Sequence, residues 1–154
     1  MTSPYRVLIA LGSAAIPHAQ FFWAWILLCL ALAVHVADEA GTGFLSVYNS
    51  TVTVLRQRWP WLPFPVYNFG VCLAALVAAD AVLWGISFFA LRGAAWMRPL
   101  GFIFAAIMLM NGLVHIVGTI RGRTVESVRF RRPMPGFYST PFVLLASLYM
   151  FCAL

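Results

Sequence analysis

Residues 18–39 read HAQFFWAWILLCLALAVHVADE. From Phe21 to Val34 no side chain carries a charge, and then His35, Asp38 and Glu39 follow within five positions. As a helix the stretch is about 33 Å long, enough to cross a hydrocarbon core of about 30 Å. An ionisable residue at membrane depth costs about 2.5–3.5 kcal/mol on insertion scales, so such residues mark tasks. His35 is i,i+3 to Asp38 and i,i+4 to Glu39, which predicts that all three share one helix face. That face suits binding a cation or moving a proton.

The whole chain follows the same pattern. Its 154 residues are 63% hydrophobic and 9% charged, with mean hydropathy +0.91, whereas a soluble domain is about 25% charged. We therefore expect one integral membrane domain over residues 1–154, with the first apolar run retained as a helix rather than cleaved. All ten basic residues are Arg. They flank apolar spans, as topology and headgroup contacts require, so no nucleic-acid partner is expected. Cys29, Cys72 and Cys152 lie scattered in apolar runs without a CxxC pair, which argues against a thiolate site or a disulfide framework.

Four spans are predicted, near residues 18–39, 66–91, 97–120 and 138–154, the last the shortest. Residues 7–16 are also apolar and extend the first span upstream, with Pro17 as a start or kink. The expected fold is all-α: an integral membrane four-helix bundle with an interfacial segment between helices 1 and 2. That segment is Phe44 to Trp59, read as a helix although its run Thr51-Val52-Thr53-Val54 is β-branched. Trp59-Pro60-Trp61-Leu62-Pro63-Phe64-Pro65 suits a turn at headgroup level. The third connection, Arg121 to Gly136, is the most polar segment.

Arginine placement sets the orientation. Arg56, Arg58, Arg121, Arg123, Arg129, Arg131 and Arg132 fall on one side, and Arg6, Arg92 and Arg98 on the other. The bias predicts cytoplasmic first and third connections and both termini outside, in a bacterial inner membrane.

In an up-down-up-down bundle spans one and three run parallel, so their C-terminal ends share one depth. The first carries His35, Asp38 and Glu39, and the third carries Asn111 and His115, again i,i+4. Span four begins at the same side with Tyr138, Ser139 and Thr140. Three distant segments thus bring polar groups to one level near the cytoplasmic boundary.

His35-x-x-Asp38-Glu39, Asn111-x-x-x-His115 and Pro135-Gly136 ahead of a terminal apolar span resemble the HXXEE-domain family. These are small integral membrane proteins named for an H-x-x-E-E motif, with a second His and a Y-x-P-G motif, and of uncharacterised function. The resemblance covers about residues 20–154. Here Asp38 replaces the first Glu of the motif, and Pro133 stands where the family has the Tyr of Y-x-P-G. The resemblance implies a shared site built on these residues, with Tyr138 as a substitute for the missing Tyr, and no known reaction.

Two imidazoles and two carboxylates, His35, Asp38, Glu39 and His115, form a suitable ligand set for zinc, iron or manganese. Asp38, Glu39, Asn111 and Tyr138 are the candidate catalytic groups. Arg121, Arg123, Arg131 and Arg132 are the candidate groups for an anionic substrate head at the mouth of the site. The leading expectation is a metal-supported membrane enzyme acting on a lipid-like or isoprenoid-like substrate. Two alternatives stay open: metal-free acid–base isomerisation or cyclisation of an apolar substrate, and a small transporter or b-type haem carrier. Membrane lipids are expected partners, and a homodimer stays open. Opposing all of these is the plain reading that Asp38 and Glu39, two residues before Gly41, are solvated at the interface. Asp80 in the middle of span two divides evenly between a protonated, hydrogen-bonded carboxyl and a functional group. His18 reads as interfacial, and Met108 and Met110 as packing. No P-loop, dinucleotide fingerprint or Ser–His–Asp spacing names a reaction.

Overall fold

The computed structural model describes the side chains of residues 18–154 and the backbone of residues 4–154. The chain is mainly helical: α1 (Pro4–Thr42), α2 (Phe44–Arg58), α3 (Phe69–Gly85), α4 (Ser87–Leu91), α5 (Met97–Arg121) and α6 (Thr140–Ala153). Two short strands, β1 (Arg123–Val125) and β2 (Val128–Arg129), pair antiparallel between α5 and α6. The purely helical expectation thus misses one hairpin. Gly122, at φ +67°, ends α5, and the β-branched Thr124, Val125 and Val128 that follow favour extended backbone.

Among the described residues, three helical stretches are long and apolar enough to cross a membrane: His18–Thr42, Phe69–Leu91 and Met97–Arg121. This is consistent with an integral membrane protein. The fourth expected span is the shorter helix α6, about 21 Å at 1.5 Å per residue. The second span starts later than residue 66, at an N-cap where the Asn68 side chain accepts from Gly70 N at 2.9 Å. It also breaks at Ile86, between α3 and α4.

α6 lies between α1 and α5, and α3 and α4 pack mainly on α1. The core is Phe21, Trp25, Leu28, Met97, Phe104, Met108, Val143 and Met150, with small residues between them. A Cβ on Gly101 would lie 3.0 Å from Phe21, and one on Gly112 2.7 Å from Leu144. Such close backbone approach is how helices associate in lipid, where tails are as apolar as Leu and dispersion must hold the contact. Trp25 Nε1 donates to Leu83 O and Ser87 Oγ, both at 3.2 Å, tying α1 to the break in the second span. The opposite surfaces are bare: α3 buries no residue, and Ile103, Ile107, Val114 and Ile120 of α5 are exposed. Apolar area of this extent calls for lipid rather than water.

α2 is a helix despite its β-branched run. The hydroxyls of Ser50, Thr51 and Thr53 each donate to the carbonyl four residues earlier, at 2.7–2.8 Å, so polar side chains are satisfied within the helix. Gly43, at φ +79°, permits the turn from α1 into α2. α2 packs on the hairpin, where the Thr51 and Thr124 hydroxyls meet. Asn49 clamps the aromatic and proline segment, donating to Tyr67 O at 2.8 Å and accepting from Tyr67 N at 3.1 Å. Thus α2, the hairpin and the adjoining ends of α1, α3, α5 and α6 gather at one end of the bundle.

Candidate metal centre

One turn of α1 separates His35 from Glu39, and one turn of α5 separates Asn111 from His115. These two i,i+4 faces meet at the gathered end. His115 Nε2 lies 3.1 Å from Glu39 Oε1, and His35 Nε2 lies 3.3 Å from the same oxygen. Asn111 Nδ2 is 2.8 Å from His35 Nε2. The two rings stand edge to face with centroids 4.8 Å apart, and Phe44 covers His115 at 5.3 Å. Both histidines are fully buried, and the Glu39 side chain is 12% exposed. One ligand atom each from His35, Glu39 and His115 falls within 4.8 Å of the others.

Asp38 does not join this group. Consecutive residues on a helix point about 100° apart, so Asp38 faces the start of α6 instead. Its Oδ2 accepts from Ser139 N at 2.8 Å and from Ser139 Oγ at 2.9 Å. Ser139 Oγ in turn lies 2.7 Å from His35 Nδ1. If the hydroxyl gives its single proton to the carboxylate, it must accept one from His35 Nδ1–H. That leaves a lone pair on His35 Nε2, the state a metal ligand needs, fixed by an outer carboxylate as in many metal sites. Asp38 thus sits behind His35, bonded to Ser139 and outside the group of His35, Glu39 and His115.

The same chain of bonds closes the α1–α6 junction. Thr42 Oγ1 donates to Asp38 O at 2.6 Å and accepts from Gly136 N at 2.9 Å. Gly136 has φ +84° and is buried against the cluster.

His35 Nε2, His115 Nε2 and Glu39 Oε1 converge closely enough for a proton or a cation to stand among them. A proton on His115 Nε2 serves Glu39, and the Asn111 Nδ2–H serves His35 Nε2 at 2.8 Å, so both His35 Nε2 and Glu39 Oε1 have a donor although they stand 3.3 Å apart. That protonation leaves His115 Nδ1 buried as an unpaired acceptor; this nitrogen has no hydrogen-bond partner. A cation at the convergence would take all three atoms as ligands, release the Asn111 amide from His35 Nε2 and leave His115 Nδ1 as an N–H. The donor set, two imidazole nitrogens and one carboxylate oxygen, fits a borderline divalent transition metal with a position left for another ligand.

A cavity of about 420 Å³ adjoins the cluster, reaching Glu39 and Asn111 at one end and otherwise walled by apolar and aromatic side chains of α1, α2 and α3. Among the described residues, no arginine lines it. Arg121, Arg123, Arg129 and Arg132 instead surround a separate hollow at the hairpin, and Arg131 is exposed outside it. The expected arginine mouth is thus displaced from the histidines, because the hairpin turns these side chains to its own surface. Tyr138 is 69% exposed and stays out of the cluster. Its neighbour Ser139 makes the contacts instead, and nothing in the local sequence distinguishes it for that role. Asp80 lies in α3 with Oδ1 unpartnered, away from the histidines.

Comparison with protein-family models, with curated proteins and with solved structures returns no match.

Proposed function

We propose that this chain is a membrane enzyme that holds a divalent transition metal at His35, Glu39 and His115 and acts on a hydrophobic substrate in the adjoining cavity. The supporting observation is the convergence of two Nε2 atoms on one Glu39 oxygen inside a buried site. Zinc, iron and manganese all accept this donor set. A metal there would supply Lewis acidity toward an oxygen of the substrate. The protein's own part is to orient His35 through Ser139 and Asp38, to exclude water with Phe44, and to hold Asn111 beside the open side. Metal content of the purified chain tests the reading. One equivalent is expected, lost in His35→Ala and His115→Ala while helicity persists. A metal-replete preparation that binds none would overturn it.

The Asp38–Ser139–His35 chain favours one second reading, metal-free acid–base catalysis, with His35 exchanging a proton with the substrate. A haem carrier fits less well. Iron with ~2 Å bonds to both imidazoles would place the ring centroids ~6 Å apart with a flat macrocycle between, whereas they stand 4.8 Å apart around Glu39.

The finer architecture belongs to the same proposal. α6, flanked by Tyr138 and Leu154, acts as the fourth crossing of a four-helix bundle. The arginine bias puts α2 and the hairpin on the cytoplasmic face of a bacterial-type inner membrane and both termini outside. Kinship with the HXXEE-domain family is proposed on the motif residues alone.

A further inference from the structure

We propose that the cavity beside Glu39 binds an uncharged amphiphile, an alcohol or carbonyl compound with a long apolar body, and that the arginine hollow takes no part in binding it. This deepens the metal reading but needs only the cavity and its charge. The body would lie along Phe44, Tyr48, Phe69, Leu73 and Leu76, which line the cavity. Its volume of about 420 Å³ is in the range of pockets that enclose small apolar ligands. The polar end has two partners at the inner limit, Glu39 and Asn111, a carboxylate and an amide suited to a hydroxyl or a carbonyl oxygen.

Charge selects against an anionic head. Glu39 is the single charged residue in the lining. A divalent cation at the cluster would be matched by the two carboxylates Glu39 and Asp38, so the inner end carries no net positive charge with or without it. The four arginines that could receive a phosphate line the hairpin hollow, which shares no lining residue with the cavity. Without a metal an anionic lipid head would meet the Glu39 carboxylate, and with one it would meet a cation already balanced by two carboxylates, so in neither state does excess positive charge offset the like-charge penalty.

The test uses the full chain in phosphatidylcholine nanodiscs and two photoreactive probes with the same diazirine-bearing sixteen-carbon body, hexadecanol and hexadecyl phosphate. The alcohol is expected to label residues 44–48 and 69–76 about tenfold more than the phosphate does, a like-charge penalty of the expected kind. Leu73→Trp, and independently Leu76→Trp, should remove that labelling while metal content stays unchanged. Equal or stronger labelling by the phosphate would overturn the proposal. So would labelling spread over Ile107 and Val114 on the outer face of α5, or labelling indifferent to both Trp variants in folded protein. A chain that labels as expected yet holds no metal leaves this proposal standing and removes the metal reading.

Discussion

Gly136 lies so close to His115 that a Cβ on the glycine would sit 2.6 Å from the ring Cε1, and 2.8 Å from Glu39 Cγ as well. The glycine backbone is therefore a wall of the candidate metal centre. Its φ of +84° adds a conformational demand that an L side chain meets poorly. Gly136→Ala should push His115 and Glu39 apart. Metal content should fall well below one equivalent, and the melting temperature should drop by the equivalent of about 1–3 kcal/mol, the range for overpacking. Gly41→Ala is the control: its Cβ meets nothing within 4 Å, and in a helix it should be neutral or stabilising by up to about 1 kcal/mol. Equal behaviour of the two variants would contradict the wall.

Ser139→Ala should weaken metal binding by about 10–100-fold, the usual effect of removing an outer-shell partner. The variant cuts the bridge between Asp38 and His35 Nδ1 yet keeps the Ser139 backbone N–H that Asp38 also accepts. Competitive chelation of the purified protein reads the affinity. Ser139→Thr, which restores a hydroxyl, should recover part of it, and an Ala variant with native affinity would show that His35 orients without Asp38.

The i,i+4 pairs His35/Glu39 and Asn111/His115 are legible in the sequence because a helix has one period, and apolar runs on both sides leave no other structure for them. The helical character and the three long spans are legible for the same reason. What spacing cannot decide is direction. Asp38 looks equivalent to Glu39 in a one-dimensional reading, yet 100° of helix rotation sends it to α6. Tyr138 and Ser139 are adjacent candidates, and only the geometry of the turn after Gly136 selects Ser139. The hairpin was hidden because its strands are two and three residues long, too short for alternation to show. The arginines of that connection were readable as a cationic group, but their separation from the histidines depends on the turn made at Gly122.

Helix packing gives an independent prediction. A Cβ on Gly101 would already lie 3.0–3.3 Å from the Phe21 and Met150 side chains, tighter than an ordinary contact, on the opposite half of the bundle from the histidines. Gly101→Leu forces α5 away from α1 and α6, where small residues permit close approach. The variant should melt earlier, by the equivalent of about 1–3 kcal/mol as overpacked cores do. The fraction that remains folded should keep its metal, because His35, Glu39 and His115 lie several turns away. Loss of metal in proportion beyond the loss of fold would mean that packing and site are coupled along α5.

Orientation can be tested without any knowledge of the reaction. The arginines of the hairpin and of α2 lie on the same end as the site: α2 packs on β1 and β2, and β1 packs on α5. Of the nine arginines outside the undescribed N-terminal side chains, seven belong to this end and two, Arg92 and Arg98, to the other. Cytoplasmic retention of arginine-rich connections then predicts a site near the inner boundary and Leu154 outside. A periplasmically active reporter fused after Leu154 should be active, and a cytoplasmically active one inserted at the tip of the hairpin, after Ser127, should be active too. The hairpin tip is suited to insertion because Glu126 and Ser127 are exposed. α6 makes the measurement decisive. If its 14 residues dip into the bilayer and return, both reporters will read cytoplasmic; if they cross, the two will differ. The buried residues Thr140, Val143, Ser147 and Met150 run the full length of α6 between α1 and α5, and this packing motivates the expected crossing. A cytoplasmic reading at Leu154 would overturn the four-crossing bundle while leaving the three long spans in place.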